Sequence, residues 1–104
     1  MRWVRRYWDE KDLWFYFELN DQGWVTRQIE FQGATGRPVT VASRSEWFEE
    51  LHAGRVQLYS AKFGMPADQP ISLDELGEYE PVLPGDFEEL WQRARLDLSD
   101  RVEP

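Results

Sequence analysis

Residues 13–32 constrain this chain most, because their side-chain pattern and their turn chemistry specify one hairpin. Leu13, Phe15, Phe17 and Leu19 alternate with Trp14, Tyr16 and Glu18, the period of two that a strand requires. The following Asn20-Asp21-Gln22-Gly23-Trp24 fits a three-residue loop with Gly23 in the left-handed position, which pairs Asn20 with Trp24. Carried down the strands, that turn sets Leu19 against Val25, Phe17 against Arg27, Phe15 against Ile29 and Leu13 against Phe31. One face is then almost wholly apolar, and Trp14 and Tyr16 point to the other.

The flanking segments extend this hairpin into a sheet. Arg2–Trp8 reads as a strand joined to Leu13 by a charged turn, and whichever of its faces meets the core brings an arginine with it, Arg5 beside Trp3 and Tyr7 or Arg6 beside Val4 and Trp8. Pro38–Ala42 reads as a fourth strand. Beyond it the pattern turns helical. Ser43 and Glu46 have capping-box spacing ahead of Trp47, Phe48 and Leu51, which predicts a helix from near 44 to 53. Gly64 and Pro66 favour a second short helix over 55–63, and 66–84 reads as loop with one helical turn at 73–76. Asp86 as a cap and the stripe Phe87, Leu90, Trp91, Ala94, Leu98 predict a final helix over 86–97. The expected architecture is a single α+β domain over residues 1–104, in two layers: an antiparallel sheet of three or four strands with two or three helices packed on one face.

Composition narrows the chemistry. There is no cysteine and one histidine, His52, so thiolate zinc sites, a cysteine nucleophile and two-histidine metal motifs are excluded. The expectation is a non-catalytic protein with no cofactor and no metal. No apolar stretch approaches the roughly 20 residues of a membrane span and the N-terminus does not read as a signal peptide, so a cytoplasmic protein without membrane contact is expected. The formal net charge is −8, all of it contributed by residues 43–104, which argues against nucleic-acid binding and for steering of a basic partner.

Five features bear on function. His52 falls in the last turn of a predicted helix, where a helix end favours an imidazolium, and Gly33–Gly36 lacks the length and the Lys-Ser/Thr of a phosphate loop. The acidic runs Glu46, Glu49, Glu50 and Asp86, Glu88, Glu89 could supply paired catalytic carboxylates or a magnesium site, but carboxylates at helix N-termini are as readily explained by dipole and capping effects. Arg27, aimed by the register at Phe17, needs either a carboxylate or an exit to solvent, or else an anionic partner. Trp14 and Tyr16, beside Thr26, Gln28 and Glu30, have the composition of an interface centre unless a helix or loop covers them.

The run Trp14-Phe15-Tyr16-Phe17-Glu18-Leu19-Asn20, with Gly23-Trp24-Val25, Arg27-Gln28-Ile29-Glu30, Gly36-Arg37-Pro38-Val39-Thr40 and Phe87-Glu88-Glu89-Leu90-Trp91, resembles a family of small acidic bacterial proteins of unassigned function. The resemblance implies no activity. The leading functional expectation is a protein-binding domain, of which an immunity-type inhibitor of a basic toxin is one form, with Trp14, Tyr16, Arg27, Glu46, Glu49 and Glu50 as contact residues. The alternative is a small ligand-binding domain or an enzyme built on carboxylates.

Overall fold

The computed structural model describes residues 1–101, with side chains through Ser99. Five strands, β1 (Arg2–Trp8), β2 (Leu13–Leu19), β3 (Val25–Gln32), β4 (Pro38–Ser43) and β5 (Glu80–Pro81), form one antiparallel sheet in the order β4-β3-β2-β1-β5. The helices are α1 (Arg44–His52), α2 (Val56–Phe63), the single turn α3 (Leu73–Leu76) and α4 (Pro84–Arg101). The α+β class holds, with one strand more than expected: the two-residue β5 carries no periodicity to announce it.

The β2–β3 turn forms as its residues dictate. Gly23 has φ +84° and donates to the Asn20 carbonyl, while Asn20 Oδ1 accepts from the amides of Gln22 and Trp24. A Cβ on Gly23 would stand 2.8 Å from the Ile71 carbonyl oxygen, so the position needs glycine for space as well as for φ.

The register then departs from the expected one. Leu19 faces Val25 as predicted, but a β-bulge follows, and the pairs become Glu18 with Arg27, Phe17 with Gln28 and Phe15 with Glu30. Thr26 is the extra residue, and its hydroxyl donates to the carbonyl and carboxylate of Glu18 at 3.1 and 2.7 Å. A bulge moves every later side chain to the opposite face. Arg27 therefore stands against Glu18, not Phe17, and Ile29 and Phe31 join the face of Tyr16.

Each face of the sheet consequently has its own core. On the Tyr16 face, Ile29 and Val41 pack under the α4 stripe Phe87, Trp91, Ala94 and Leu98, with Trp3, Tyr16, Phe31 and Phe63 around them. On the other, Val4, Phe17, Leu19 and Val25 are covered by Ala67, Ile71, Leu73 and Leu76. The long helix packs on the face opposite the one expected from the phenylalanines. It also begins at Pro84, a residue suited to the first helical turn, which leaves Asp86 inside that turn rather than capping it.

The capping of α1 is as predicted on one side only. Ser43 Oγ accepts from the Glu46 amide at 3.4 Å, but the Glu46 carboxylate turns to Arg95 and Tyr59 instead of back to Ser43. Tyr59 Oη takes its place, accepting from the Ser43 amide at 2.8 Å, and Arg95 Nε donates to the Val41 carbonyl at 2.9 Å. These are the outward-pointing main-chain groups of β4, so side chains of α2 and α4 close that edge of the sheet. Although α1 carries Trp47, Phe48 and Leu51, it buries none of its residues.

Candidate protein-binding face

Helix α4 crosses the sheet above β3 and β4 and leaves the β1–β2 half of the same face uncovered. There, alternation on β1 and β2 aligns Arg5, Tyr7, Trp14 and Tyr16. Tyr16 lies at the margin of the core, edge-on to Phe31 at 5.6 Å, and its hydroxyl accepts from Arg5 Nη1 at 3.4 Å. Trp14 is half-buried between the Tyr7 ring at 5.0 Å and the Arg5 guanidinium at 4.9 Å. Arg5 reaches Glu80 of β5 at 3.3 Å, and these two partners, Tyr16 first and Glu80 second, hold the guanidinium in its charged form. Tyr7 donates to the Asp12 carboxylate, which raises its phenol above the ordinary value.

Two open clefts meet at Arg5. One, of about 690 Å³, runs along the outer side of β1 past Tyr7 and Trp14; the other, of about 440 Å³, runs between Tyr16 and the first turns of α4. Five carboxylates line them, Asp9, Glu78, Glu80, Asp86 and Glu89, against the guanidiniums of Arg5, Arg6 and Arg93. The result is an aromatic floor with a predominantly acidic rim.

The main chain of β1 is unpartnered beside this floor. The Val82 amide donates to the Trp3 carbonyl at 2.8 Å, so Trp3 directs its main-chain groups away from β2, and by alternation Arg5 and Tyr7 do the same. Strand β5 pairs only with Val4 and Arg5. The amide and carbonyl of Tyr7 meet no hydrogen-bonding group among the described residues.

The structure brings Trp14 and Tyr16 together and places the other four sequence-derived candidates elsewhere. Arg27 is held by Glu18 at 2.7 Å and Glu88 at 3.0 Å, its guanidinium 5.1 Å from the rings of both Phe87 and Trp91. Arg95 lies over the same Trp91 ring at 4.5 Å and over Phe63 at 3.9 Å, so the indole sits within reach of two guanidiniums, each neutralised by carboxylate. Burial raises the Glu18 carboxyl, but donors from Arg27, Thr26 and Trp3 outweigh it and hold the group below the usual carboxylate range. Glu46 shows the same balance, burial opposed by Arg95 and Tyr59. Burial also pushes the Tyr59 phenol up to about 12. Glu50 pairs with Arg55 at 2.8 Å, while Glu49 and His52 are exposed. The acids of α1 thus do not form one continuous surface with Trp14.

Arg5, Tyr7, Glu78 and Glu80 escaped the sequence reading as site residues. For Arg5 and Tyr7 a signal existed, since the set Trp3, Arg5, Tyr7 shares a strand face; Glu78 and Glu80 depend on where β5 docks, which spacing does not encode. Among the described residues no group of three or more His, Cys, Asp or Glu could hold a metal ion, and no helix is long and apolar enough to cross a membrane. No protein-family model, no curated protein and no solved structure matches this chain.

Proposed function

We propose that the chain is a non-catalytic protein-binding domain that presents the Trp14–Tyr16 face to a basic protein partner. The observation that carries this reading is that two clefts, of about 690 and 440 Å³, share Arg5, are floored by Tyr7, Trp14 and Tyr16, and have more carboxylates than guanidiniums on their walls. Half-buried aromatic rings beside an arginine are the side chains that dominate protein interfaces, and an acidic rim raises the association rate of a basic partner. Both clefts are open to solvent rather than enclosed, which suits a macromolecular surface better than a small substrate. An immunity-type inhibitor that blocks a basic toxin is the specific form that the charge favours.

The test is differential capture. Immobilised wild-type chain and its Trp14→Ala and Glu78→Gln/Glu80→Gln variants are exposed to lysate of the native cell at low and high salt. A basic protein retained by the wild type, lost by Trp14→Ala and weakened by salt is the expected result. Equal retention by all three chains would remove this face from the binding role.

A further inference from the structure

The open main chain of β1 suggests how such a partner is held. An edge strand offers a ladder of unpaired donors and acceptors, and extended segments of other chains add to it readily. This sheet has two edges, and only one is closed by side chains. At β4, Tyr59 meets the amide and carbonyl of Ser43, and Arg95 meets the carbonyl of Val41. At β1, two residues of β5 pair with Val4 and Arg5, and the ladder then stops, leaving Tyr7, which lines the larger cleft, without a strand partner on that side.

From this geometry we infer that Tyr7 accepts an extended, lysine- or arginine-bearing segment of the partner as an added strand directly beyond β5. The inference rests on the reading of the Trp14 face as the binding surface, and adds the mode of contact. β5 itself shows that the edge accepts a strand. Charge selects the occupant: three carboxylates, Asp9, Glu78 and Glu80, line the cleft against two guanidiniums, Arg5, which is already paired with Glu80, and Arg6. A basic side chain on the near face of the added strand would lie against the rings of Tyr7 and Trp14 and among these carboxylates, where cation–π and ionic contacts act together. A second copy of this chain is the less suitable occupant, because each copy carries a net −8 and β5 blocks symmetric pairing centred on Tyr7.

The probe is a capped synthetic peptide of alternating lysine and valine, compared with an analogue of identical side chains in which alternate amides are N-methylated. Binding is followed by NMR at the Tyr7 amide of the full chain. Expected are a shift and slowed exchange of that amide on adding the first peptide, and affinity lower by about fivefold to tenfold for the methylated one, the size of one net hydrogen bond. Tyr7→Pro removes the outward amide and the ring together without touching the β1–β2 ladder, a substitution that edge strands tolerate, and should lose at least the same factor. Tyr7→Phe should not. Because the methylated peptide is tested on the wild-type chain, a misfolded proline variant leaves the result intact. Equal affinity for both peptides overturns strand addition, and if Trp14→Ala still weakens binding, the Trp14 face survives as a side-chain surface. No binding at millimolar peptide, or a Tyr7 amide already protected by self-association, also overturns it.

Discussion

At the β4 edge, the main-chain groups that leave the sheet meet the Tyr59 hydroxyl and the Arg95 guanidinium, and α2 and α4 lie behind those side chains. At the β1 edge, a two-residue strand pairs with Val4 and Arg5, and then no hydrogen-bonding group among the described residues meets the outward main-chain groups of Tyr7. The same physical liability is thus handled in two ways within one sheet. Where the edge is capped, the capping groups are tied to Glu46 and stacked on Trp91 and Phe63, so closing the edge also builds the core. Where it is open, the neighbouring aromatic rings are half-buried and the ion pair Arg5–Glu80 is exposed. The first region stabilises the fold; the second leaves surface free for a partner.

The sharpest way to break this contrast is to truncate one tryptophan in each region. Trp91 is 9% exposed and packs between Phe87 and the two guanidiniums, so Trp91→Ala should lower unfolding free energy by about 3–5 kcal/mol, the range for a buried aromatic. Trp14→Ala should cost about 1 kcal/mol or less, the ordinary size for a substitution away from the core. Urea denaturation of both variants measures the difference. Equal losses would make the β1–β2 surface part of the core and end its candidacy as a binding face.

Much of this arrangement was legible in the sequence. The Asn20–Trp24 turn, strands β1 to β4, the starts of α1 and α2 and the buried stripe of α4 all follow from local patterns that formed as read. The bulge does not. Val25 and Ile29 share one parity in the sequence, yet Thr26 separates them, so Val25 joins the core covered by Ala67, Ile71, Leu73 and Leu76, and Ile29 the core under α4. Nothing in a run of alternating residues marks which one will be doubled, because the gain comes from the contacts of Thr26 with Glu18 and of Arg27 with residues far away in the chain. The Arg27–Glu88 and Arg95–Glu46 pairs span 61 and 49 residues, and only tertiary packing decides them. The same holds for β5, whose two residues dock by position rather than by propensity. The candidate site was legible to the extent that Trp14 and Tyr16 share a face; the cleft around them was not, because α4 and β5 define its walls.

A smaller effect tests the carboxylates that hold the closed half together. Glu18, with its side chain 9% exposed, accepts from Trp3, Thr26 and Arg27, and its folded pKa lies below the ordinary value of about 4.3. A carboxylate shifted in this direction contributes stability that is present above that value and is lost as pH falls through the folded pKa. The wild type should therefore lose stability below about pH 4, while Glu18→Gln, weaker by about 1–3 kcal/mol at neutral pH, should approach it as acid protonates the native carboxyl. Urea midpoints between neutral pH and pH 3 measure both. Parallel acid curves for the two proteins would show that Glu18 is not the titrating group.

The smallest effect belongs to the open edge, and it separates local from global stability. Glu80 is 61% exposed at its side chain and Arg5 38%, so their ion pair, at 3.3 Å, is largely solvated and worth about 0.5 kcal/mol or less. Glu80→Gln should leave the urea midpoint almost unchanged. It nonetheless weakens the side-chain tie between β5 and β1, and a strand of two residues has few other contacts to keep it docked. Opening of β5 would release the Val82 amide from the Trp3 carbonyl, so hydrogen exchange at Val82 should accelerate in Glu80→Gln while the Ser43 amide, bonded to Tyr59 on the far edge, keeps its wild-type rate. Equal acceleration at both amides would mean that the two edges open together as one cooperative unit. In that case β5 would be a structural strand of the core, and the boundary between the region that stabilises the fold and the region that meets a partner would have to be drawn outside it.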